Sequence, residues 1–227
     1  MKAILLGSIQ GNLPALEACL EQAEKEGYDA IAHTGDVVGP GPFPGECVEY
    51  LRQRNVRGVR GRWEEALALG GDAAAAEAMG MTAWEGAALR WTMRRLDARA
   101  RIHLASLPFE LRLSLSGRWM AIYHSGPVSL RDRLLPSMPL EAFAQAGLAS
   151  GAGIVGLGSG PEPFDRQVDG RLIVMAPAAG AGRTHTGYAV VISEGAVRAE
   201  FRRIPYDADR AARAAAERGF PPRDTPI

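Results

Sequence analysis

Apolar runs and amphipathic stretches alternate over the first sixty residues of the chain. The run AILLG ends at Gly7 and is typical of a buried strand. From Asn12 to Gly27, apolar residues recur at helical spacing, and Pro14 lies in the first turn. A second strand, a second helix and a third strand follow at 28–33, 47–53 and 56–59. This β-α-β-α-β order predicts a parallel sheet flanked by helices.

The rest of the chain is predicted to begin as helix and then to become rich in strands. Residues 64–107 are alanine-rich and helical in pattern. Strands are predicted near 110–114, 119–123, 153–157, 164–168, 171–175, 188–192 and 197–203. Further helices are predicted at 140–146 and from 207 up to Gly219 and Pro221. The sequence shows neither a repeat nor a linker, so we expect one domain over residues 1–227.

Composition excludes several classes of partner. The chain has 26 Lys and Arg against 26 Asp and Glu, which leaves no basic footprint for nucleic acid. No apolar run reaches the length of a membrane span, and the N-terminus lacks the pattern of a signal peptide. Cys19 and Cys47 are isolated in sequence, which favours buried free thiols in a reducing compartment. We therefore expect a cytoplasmic protein.

Candidate chemistry is sought where the predicted strands end, because ligands of such sheets gather at the carboxyl ends of strands. The polar residues at these positions are Ser8, Gln10, Asp36, the segment 60–64 that includes Arg62, Trp63 and Glu64, His124, and the segment 159–161 that begins with Ser159. The turn GSIQGN after the first strand carries no acid, histidine, cysteine or lysine. This turn has the form of a ligand site but lacks the usual reactive groups.

Several segments together resemble one known family. They are GNLPALEACLEQA, HTGDVVGPGPFPGECVEYLRQRNVRGVRG, YHSGP and EFRRIPYD. They are similar to the calcineurin-like metallophosphoesterases, in particular to a small bacterial subgroup of phosphodiesterase-like and diadenosine tetraphosphatase-like proteins. The resemblance implies an α/β fold, a four-layer α-β-β-α sandwich of two mixed sheets. It also implies that residues 64–107 form a helical cap or insertion, and it is compatible with a homodimer.

Members of that family bind two divalent ions through five short sequence motifs. In chain order these are Asp-x-His, Gly-Asp, Gly-Asn-His-Asp/Glu, a single His, and Gly-His-x-His. When this sequence is placed on that pattern, Ser8 and Gln10 occupy the positions of the first Asp and His. Arg62 and Trp63 occupy the positions of the Asn and the catalytic His, and Ser159 and Pro161 those of the last two histidines. Asp36 and His124 keep their expected types, and Glu64 keeps an acid at the next position. Hydroxyl and amide groups do not replace carboxylate and imidazole as ligands of such ions.

The placement leaves alternatives for each retained residue. Asp36 is either a metal or substrate contact or a loop acid that binds backbone amides. His124 is either a ligand of a single remaining metal or a satisfied buried histidine. We predict an ion pair between Arg62 and Asp36 where a metal would lie, the alternative being Arg62 in solvent. Trp63 either stacks on a base of a ligand or fills the vacated pocket, and filling is favoured because large aromatic residues mostly serve burial.

The remaining candidates are weaker. His33 and His185 are near strand ends, whereas His103 lies on an apolar helical stretch and is expected to be structural. A Ser8–His124–Asp36 hydrolase is disfavoured, because no G-x-S-x-G motif surrounds the serine.

The sequence therefore predicts a degenerate metallophosphoesterase-like pseudoenzyme: a non-catalytic binding or scaffold protein with no cofactor. Its fold is compatible with this, since a retromer subunit that resembles these enzymes serves as a scaffold. A phosphate-bearing small molecule would contact Arg62, Gln10, Ser8 and Ser159, or a protein partner would bind instead. Asp36, His124 and Glu64 are then vestigial. The alternative is an active phosphodiesterase or phosphatase with one Mn, Zn or Fe ion on Asp36 and His124, helped by Glu64 or His185.

Overall fold

The computed structural model of the chain describes residues 1–160 and 162–223. The strands are β1 (Lys2–Leu6), β2 (Ala30–His33), β3 (Arg57–Gly58), β4 (Leu111–Leu115), β5 (Arg118–Ile122), β6 (Ile154–Leu157), β7 (Phe164–Val168), β8 (Arg171–Met175), β9 (His185–Glu194) and β10 (Ala196–Pro205). The helices are α1 (Leu13–Glu26), α2 (Pro44–Gln53), α3 (Arg62–Ala68), α4 (Ala73–Ala78), α5 (Ala83–Arg95), α6 (Ala98–Ser106), α7 (Leu140–Ser150) and α8 (Ala208–Glu217).

The strands form two mixed sheets of five strands each. The first has the order β10-β9-β1-β2-β3, in which β1, β2 and β3 are parallel and β9 is antiparallel to both of its neighbours. The second has the order β4-β5-β6-β8-β7, with β5, β6 and β8 parallel and the two edge strands antiparallel. The parallel strands of each sheet all end at the same edge.

Strand β1 shows how the layers pack. Its side chains alternate between the two faces of the sheet. Ala3 and Leu5 belong to the core between the sheets, where they join Ile122 and Val174 of the second sheet. Ile4 and Leu6 face the helical layer, whose core includes Leu16 of α1, Leu51 of α2 and Leu89 of α5. Phe143 of α7 packs on the outer face of the second sheet. The predicted four-layer sandwich of two mixed sheets is confirmed.

The predicted strands and helices are present with small shifts of their ends. The alanine-rich region at 64–107 forms the four helices α3–α6. Asn12 caps α1 through its side-chain oxygen, as Asn does at helix starts. Cys19 and Cys47 are buried and free, as expected. Within the residues described, no helix has the length and apolar character needed to cross a membrane.

Candidate ligand-binding site

A cavity of about 600 Å³ opens at the edge where the parallel strands of both sheets end. We call its inner wall the floor; it consists of Ser8, Gln10, Asp36, His124 and Ser159. We call the charged outer residues the rim; they are Arg62, Glu85, Arg133 and Arg223. The structure therefore brings together the candidates at the ends of β1, β2, β5 and β6.

Asp36 is held in a left-handed backbone conformation, with φ of 49°. Asp tolerates this region better than most residues. Its carbonyl oxygen accepts hydrogen bonds from the backbone N–H groups of Ile9 (2.9 Å) and Gln10 (2.7 Å). Its Oδ1 accepts a third from the N–H of Trp63 at 3.0 Å. Asp36 thus ties the loop after β1 to the start of α3.

The second carboxylate oxygen of Asp36 faces His124 directly. His124 Nε2 lies 3.3 Å from Asp36 Oδ2, and both side chains are buried. His124 Nδ1 lies 2.8 Å from the carbonyl oxygen of Thr34. A carbonyl oxygen only accepts hydrogen bonds, so Nδ1 carries a proton. A second proton is then needed between Nε2 and Oδ2, because two lone pairs would otherwise face each other.

The two groups stabilise the charged form of each other. Burial raises the pKa of Asp36, but the charge and hydrogen bond of His124, the Trp63 N–H and the Arg62 charge together lower it by more, so its pKa lies below the ordinary value. Burial lowers the pKa of His124, but the Asp36 carboxylate, the Thr34 carbonyl and the Glu64 charge together outweigh this, so its pKa lies above the ordinary value. Together with the two contacts of the ring nitrogens, these shifts favour an aspartate paired with an imidazolium.

Glu64 acts as a clamp for the surrounding backbone. Its carboxylate accepts hydrogen bonds from the N–H groups of Gly61 (2.7 Å), Asp36 (2.8 Å), Val37 (2.9 Å) and Val38 (3.3 Å). Burial and the nearby Asp36 charge raise the pKa of Glu64 to about 7, against the effect of these donors. With its oxygens turned to backbone amides, Glu64 positions the loops rather than facing the cavity.

The predicted ion pair between Arg62 and Asp36 is wrong. Arg62 Nη2 lies 2.5 Å from Glu85 Oε1, and Asp36 pairs with His124. Glu85 is the third residue of α5, and its carboxylate also accepts from the N–H of Thr82. The helical region 64–107 therefore supplies a closer partner for Arg62 than the buried loop does. The sequence separation of 23 residues between Arg62 and Glu85 hides this pairing from the sequence.

The neutral polar residues of the floor differ in how they are satisfied. Ser8 Oγ donates to the carbonyl oxygen of Gly158 at 2.9 Å. Ser159 Oγ is buried and has no hydrogen-bond partner within the described residues. Gln10, with φ of 57°, lines the cavity beside them. Pro161, the other expected ligand position, lies outside the described residues.

Trp63 and the three remaining histidines do not belong to the floor of the cavity. Trp63 is 1% exposed, belongs to the core and borders the cavity, so it is buried as a large aromatic is expected to be. His33 is buried, burial lowers its pKa to about 3, and its Nδ1 accepts from Gly35 N–H. His185 Nδ1 lies beside Thr184 Oγ1, and His103 lies on α6. None of these three histidines lines the cavity.

Sequence reasoning missed one whole wall of the cavity. The segment 218–223 after α8, which we call the strap, contributes Phe220 and Arg223 to the cavity and packs on α5. Phe220 lies edge-on to Trp84 and Trp91, with ring centroids 6.3 Å and 4.9 Å apart. Trp84 Nε1 donates to the carbonyl oxygen of Pro221 at 3.1 Å. The aromatic residues in the sequence predict that these side chains are packed, but nothing in the sequence predicts that they border the cavity.

The side chains of the site do not fit the dimetal pattern of the resembled family. Across residues 1–160 and 162–223, no group of three or more His, Cys, Asp or Glu side chains is arranged to hold a metal ion. His124 Nε2 is directed at Asp36, and the oxygens of Glu64 are directed at backbone amides. A cation on this floor would have to displace the proton shared by Asp36 and His124.

Comparisons with known proteins agree with the fold. Residues 1–84 match the model of the calcineurin-like phosphoesterase family. Over these residues the chain is similar to that family. An uncharacterized protein of Methanocaldococcus jannaschii is 27% identical over 173 residues, which is 75% of this chain and 66% of that protein. The match thus spans just under two thirds of that relative.

Two solved structures show the same fold as this chain. A hypothetical protein from Pyrococcus horikoshii OT3 superimposes with a TM-score of 0.86 at 23% identity, over 97% of this chain and 94% of that one. A metallophosphoesterase from Sphaerobacter thermophilus superimposes with a TM-score of 0.74 at 23% identity, over 97% of this chain and 95% of that one. At this identity, the likeness shows the fold.

Proposed function

We propose that this protein is a non-catalytic member of the metallophosphoesterase-like fold that has lost the dimetal centre and binds a phosphate-bearing small molecule in the cavity. Arg62, Gln10, Ser8 and Ser159 contact that ligand. Asp36, His124 and Glu64 maintain the shape of the site and carry out no chemistry. Fold and function are separable, so an inherited platform can serve binding alone.

The contact between His124 Nε2 and Asp36 Oδ2 at 3.3 Å carries this proposal. An imidazolium next to the buried aspartate supplies the positive charge that a bridging cation would supply. The replacement of the neighbouring ligand positions by Ser8, Gln10 and Arg62 supports the same interpretation. Catalytic zinc sites normally keep three protein ligands, and this floor retains two residues of the right type.

The cavity itself supports a small-molecule ligand. Its volume of about 600 Å³ lies within the range of ordinary ligand pockets, roughly 300–1,000 Å³. Guanidinium groups at its rim can bind phosphate oxygens in a bidentate manner. The mixture of arginines with apolar residues such as Trp84 and Phe220 suits a ligand with both an anionic and an organic part.

The test is to expose the purified protein to Mn²⁺, Zn²⁺ and Fe²⁺, remove free metal by gel filtration, and measure bound metal by elemental analysis. We expect far less than one equivalent of each metal per chain. The same samples are assayed with bis(p-nitrophenyl) phosphate, for which no turnover is expected. Binding of phosphate compounds is then measured on the untreated protein.

Two variants make the metal result decisive. Asp36→Asn removes the carboxylate of the floor, and Asp165→Asn removes an exposed carboxylate of β7 as a matched control. About one equivalent of metal in the wild type and in Asp165→Asn, lost in Asp36→Asn, would contradict the proposal. That result, with turnover, would instead establish the alternative, a phosphodiesterase with a reduced metal site on Asp36 and His124.

A further inference from the structure

We infer that the ligand is the phosphate ester of a polyhydroxylated small molecule, of the sugar phosphate type, with its hydroxyl groups on the floor and its phosphate at the rim beside Arg133. This inference rests on the proposed function, which assigns a phosphate-bearing ligand to the cavity. It adds the chemical class of the organic part and the direction in which the ligand enters. It also names Arg133 as the residue that determines recognition of the phosphate.

The floor is a poor place for a phosphate because its charges are already balanced. The positive charge of His124 is matched by the carboxylate of Asp36 at 3.3 Å. The carboxylate of Glu64 lies behind them and accepts hydrogen bonds from backbone N–H groups. A phosphate in contact with Asp36 would meet a like charge without a free cation to offset it. An anionic group therefore gains little from the floor.

The floor does suit hydroxyl groups. The neutral side chains of Ser8, Gln10 and Ser159 all border it. Hydroxyl and amide groups donate and accept hydrogen bonds, as the hydroxyls of a polyol also do. Ser8 Oγ gives its proton to Gly158 and so presents lone pairs, whereas the Ser159 hydroxyl has no partner within the part of the chain described. An unsatisfied buried hydroxyl is unfavourable, and a ligand hydroxyl would satisfy Ser159 Oγ once its side chain rotates toward the cavity.

The rim has the opposite character. Arg62 is compensated by Glu85 at 2.5 Å. Arg133 is exposed, borders the cavity, and has neither an ion pair nor a hydrogen bond with any residue that the structure describes. Arg223 lies over the Trp84 ring, 4.4 Å from its centroid, and forms no ion pair with an acid among the described residues. The excess positive charge of the cavity is therefore at its rim, and Arg133 is the guanidinium available for a phosphate.

The space between floor and rim is larger than a phosphate ion needs, and apolar residues of the strap and of α5 line part of it. Trp84 and Phe220 offer ring surfaces there, which suit the carbon skeleton of a small organic molecule. A ligand with hydroxyls at one end and a phosphate at the other would contact all three parts of the cavity. Inorganic phosphate alone would contact only the rim.

The test is an NMR-detected titration of the full-length protein with four probes: glucose 6-phosphate, glucose, phenyl phosphate and inorganic phosphate. We expect glucose 6-phosphate to bind at least about tenfold more tightly than phenyl phosphate, which lacks hydroxyls, because buried polar groups reject a ligand that cannot pair with them. The variant Arg133→Gln should weaken glucose 6-phosphate and inorganic phosphate by about tenfold or more. It should leave glucose unchanged.

Two further variants locate each end of the ligand. Ser159→Ala should weaken glucose and glucose 6-phosphate and leave inorganic phosphate unchanged. Arg118→Gln changes an exposed arginine at the opposite end of β5 and should leave all four probes unchanged. Thermal unfolding of each variant shows that it is folded.

The outcomes separate this inference from the proposed function. If phenyl phosphate binds as tightly as glucose 6-phosphate, or if phosphate affinity falls in Ser159→Ala and not in Arg133→Gln, the inference is wrong and the proposed function stands. If none of the phosphate compounds binds, the proposed function is wrong and the inference falls with it.

Discussion

His124 Nε2 lies 3.3 Å from Asp36 Oδ2, while His124 Nδ1 lies 2.8 Å from the carbonyl oxygen of Thr34. Both ring nitrogens are therefore engaged, one by a carbonyl and the other by a carboxylate. The imidazolium form satisfies both contacts as a donor. The centre of the site is thus a buried ion pair that links the end of β2 to the end of β5, and it joins the two sheets.

The first prediction concerns this ion pair. His124→Ala leaves the Asp36 carboxylate buried without its partner, and we expect a loss of about 3–5 kcal/mol in the free energy of unfolding. Asp36→Asn in the same chain should recover part of this loss, because the unpaired charge is removed. Urea unfolding of the two single variants and the double variant measures the coupling energy.

The control for this prediction is His185→Ala, in a histidine outside the cavity, which should change stability by less than about 0.5 kcal/mol. Additive single effects would show that the two groups do not interact.

The second prediction concerns pH. Because the pKa of His124 is raised, its stabilising effect is complete below its ordinary pKa of 6.5 and is lost as the pH rises through the folded-state value. Because the pKa of Asp36 is lowered, its stabilising effect is present above 3.8 and is lost as the pH falls through the folded-state value. We expect ¹⁵N NMR to show a doubly protonated His124 ring at pH 7.

The control for the pH prediction is Asp36→Asn. Without the carboxylate, burial alone acts on His124, and its ring should be neutral at pH 7. A neutral ring in the wild type at pH 7 would contradict the ion pair, and a charged ring in Asp36→Asn would show that another group supplies the stabilisation.

The third prediction concerns Glu64. In Glu64→Gln, the new NH₂ group would face backbone N–H donors that now bind a carboxylate oxygen, so at least one buried donor loses its partner. We expect the free energy of unfolding to fall by about 2–3 kcal/mol. The neighbouring Glu65 pairs with Arg60, and both side chains are about one-third exposed. Glu65→Gln should therefore change stability by less than about 1 kcal/mol. Equal effects of the two substitutions in thermal or urea unfolding would refute the clamp role of Glu64.

The fourth prediction concerns Gly61, where the backbone passes close to Asp36. A Cβ atom at Gly61 would lie 2.3 Å from Asp36 Oδ1 and 2.4 Å from Asp36 N. Gly61→Ala must therefore displace the Asp36 loop, and we expect both a loss of stability of about 2 kcal/mol or more and shifted NMR signals of His124. Gly45→Ala is the control, because the nearest atom to its Cβ is 3.9 Å away and Gly45 lies within α2. It should be neutral or slightly stabilising.

The fifth prediction concerns the strap. Phe220 packs against both Trp84 and Trp91, so Phe220→Ala removes both ring contacts and part of the apolar wall of the cavity. We expect the free energy of unfolding to fall by about 1–3 kcal/mol. We also expect a red-shifted tryptophan emission, because water gains access to the indoles. Phe220→Leu, which keeps an apolar side chain, should lose less stability than Phe220→Ala. An unchanged emission in Phe220→Ala would mean that the strap does not shield these rings.

The helices, strands and layers were predictable from the sequence because each depends on local patterns. The alternation in β1 and the helical spacing in α1 specify which face of each element is apolar. The parallel strand order then places Asp36 and His124 at strand ends. That these two residues match expected ligand types followed from the family resemblance. Even the burial of Trp63 was predictable, since large aromatic residues mostly serve burial.

Partners within the site were decided by the tertiary structure. Arg62 was expected at Asp36 and lies instead against Glu85, because α5 packs beside α3 and brings that carboxylate closer. The strap reaches the cavity from the far end of the sequence, and no local pattern in 218–223 indicates that contact. Electrostatic and hydrogen-bonding choices of this kind depend on distances of a few ångströms between elements remote in sequence.

The sequence by itself therefore determined the order of the elements, their apolar faces and the residue types available at the strand ends. Only the tertiary structure decided that His124 pairs with Asp36, that Glu64 holds the backbone, and that Arg133 borders the cavity without an ion pair among the described residues. The physical reason is that burial follows from local periodicity, whereas the pairing of charges follows from which side chains the packed layers place within contact of each other.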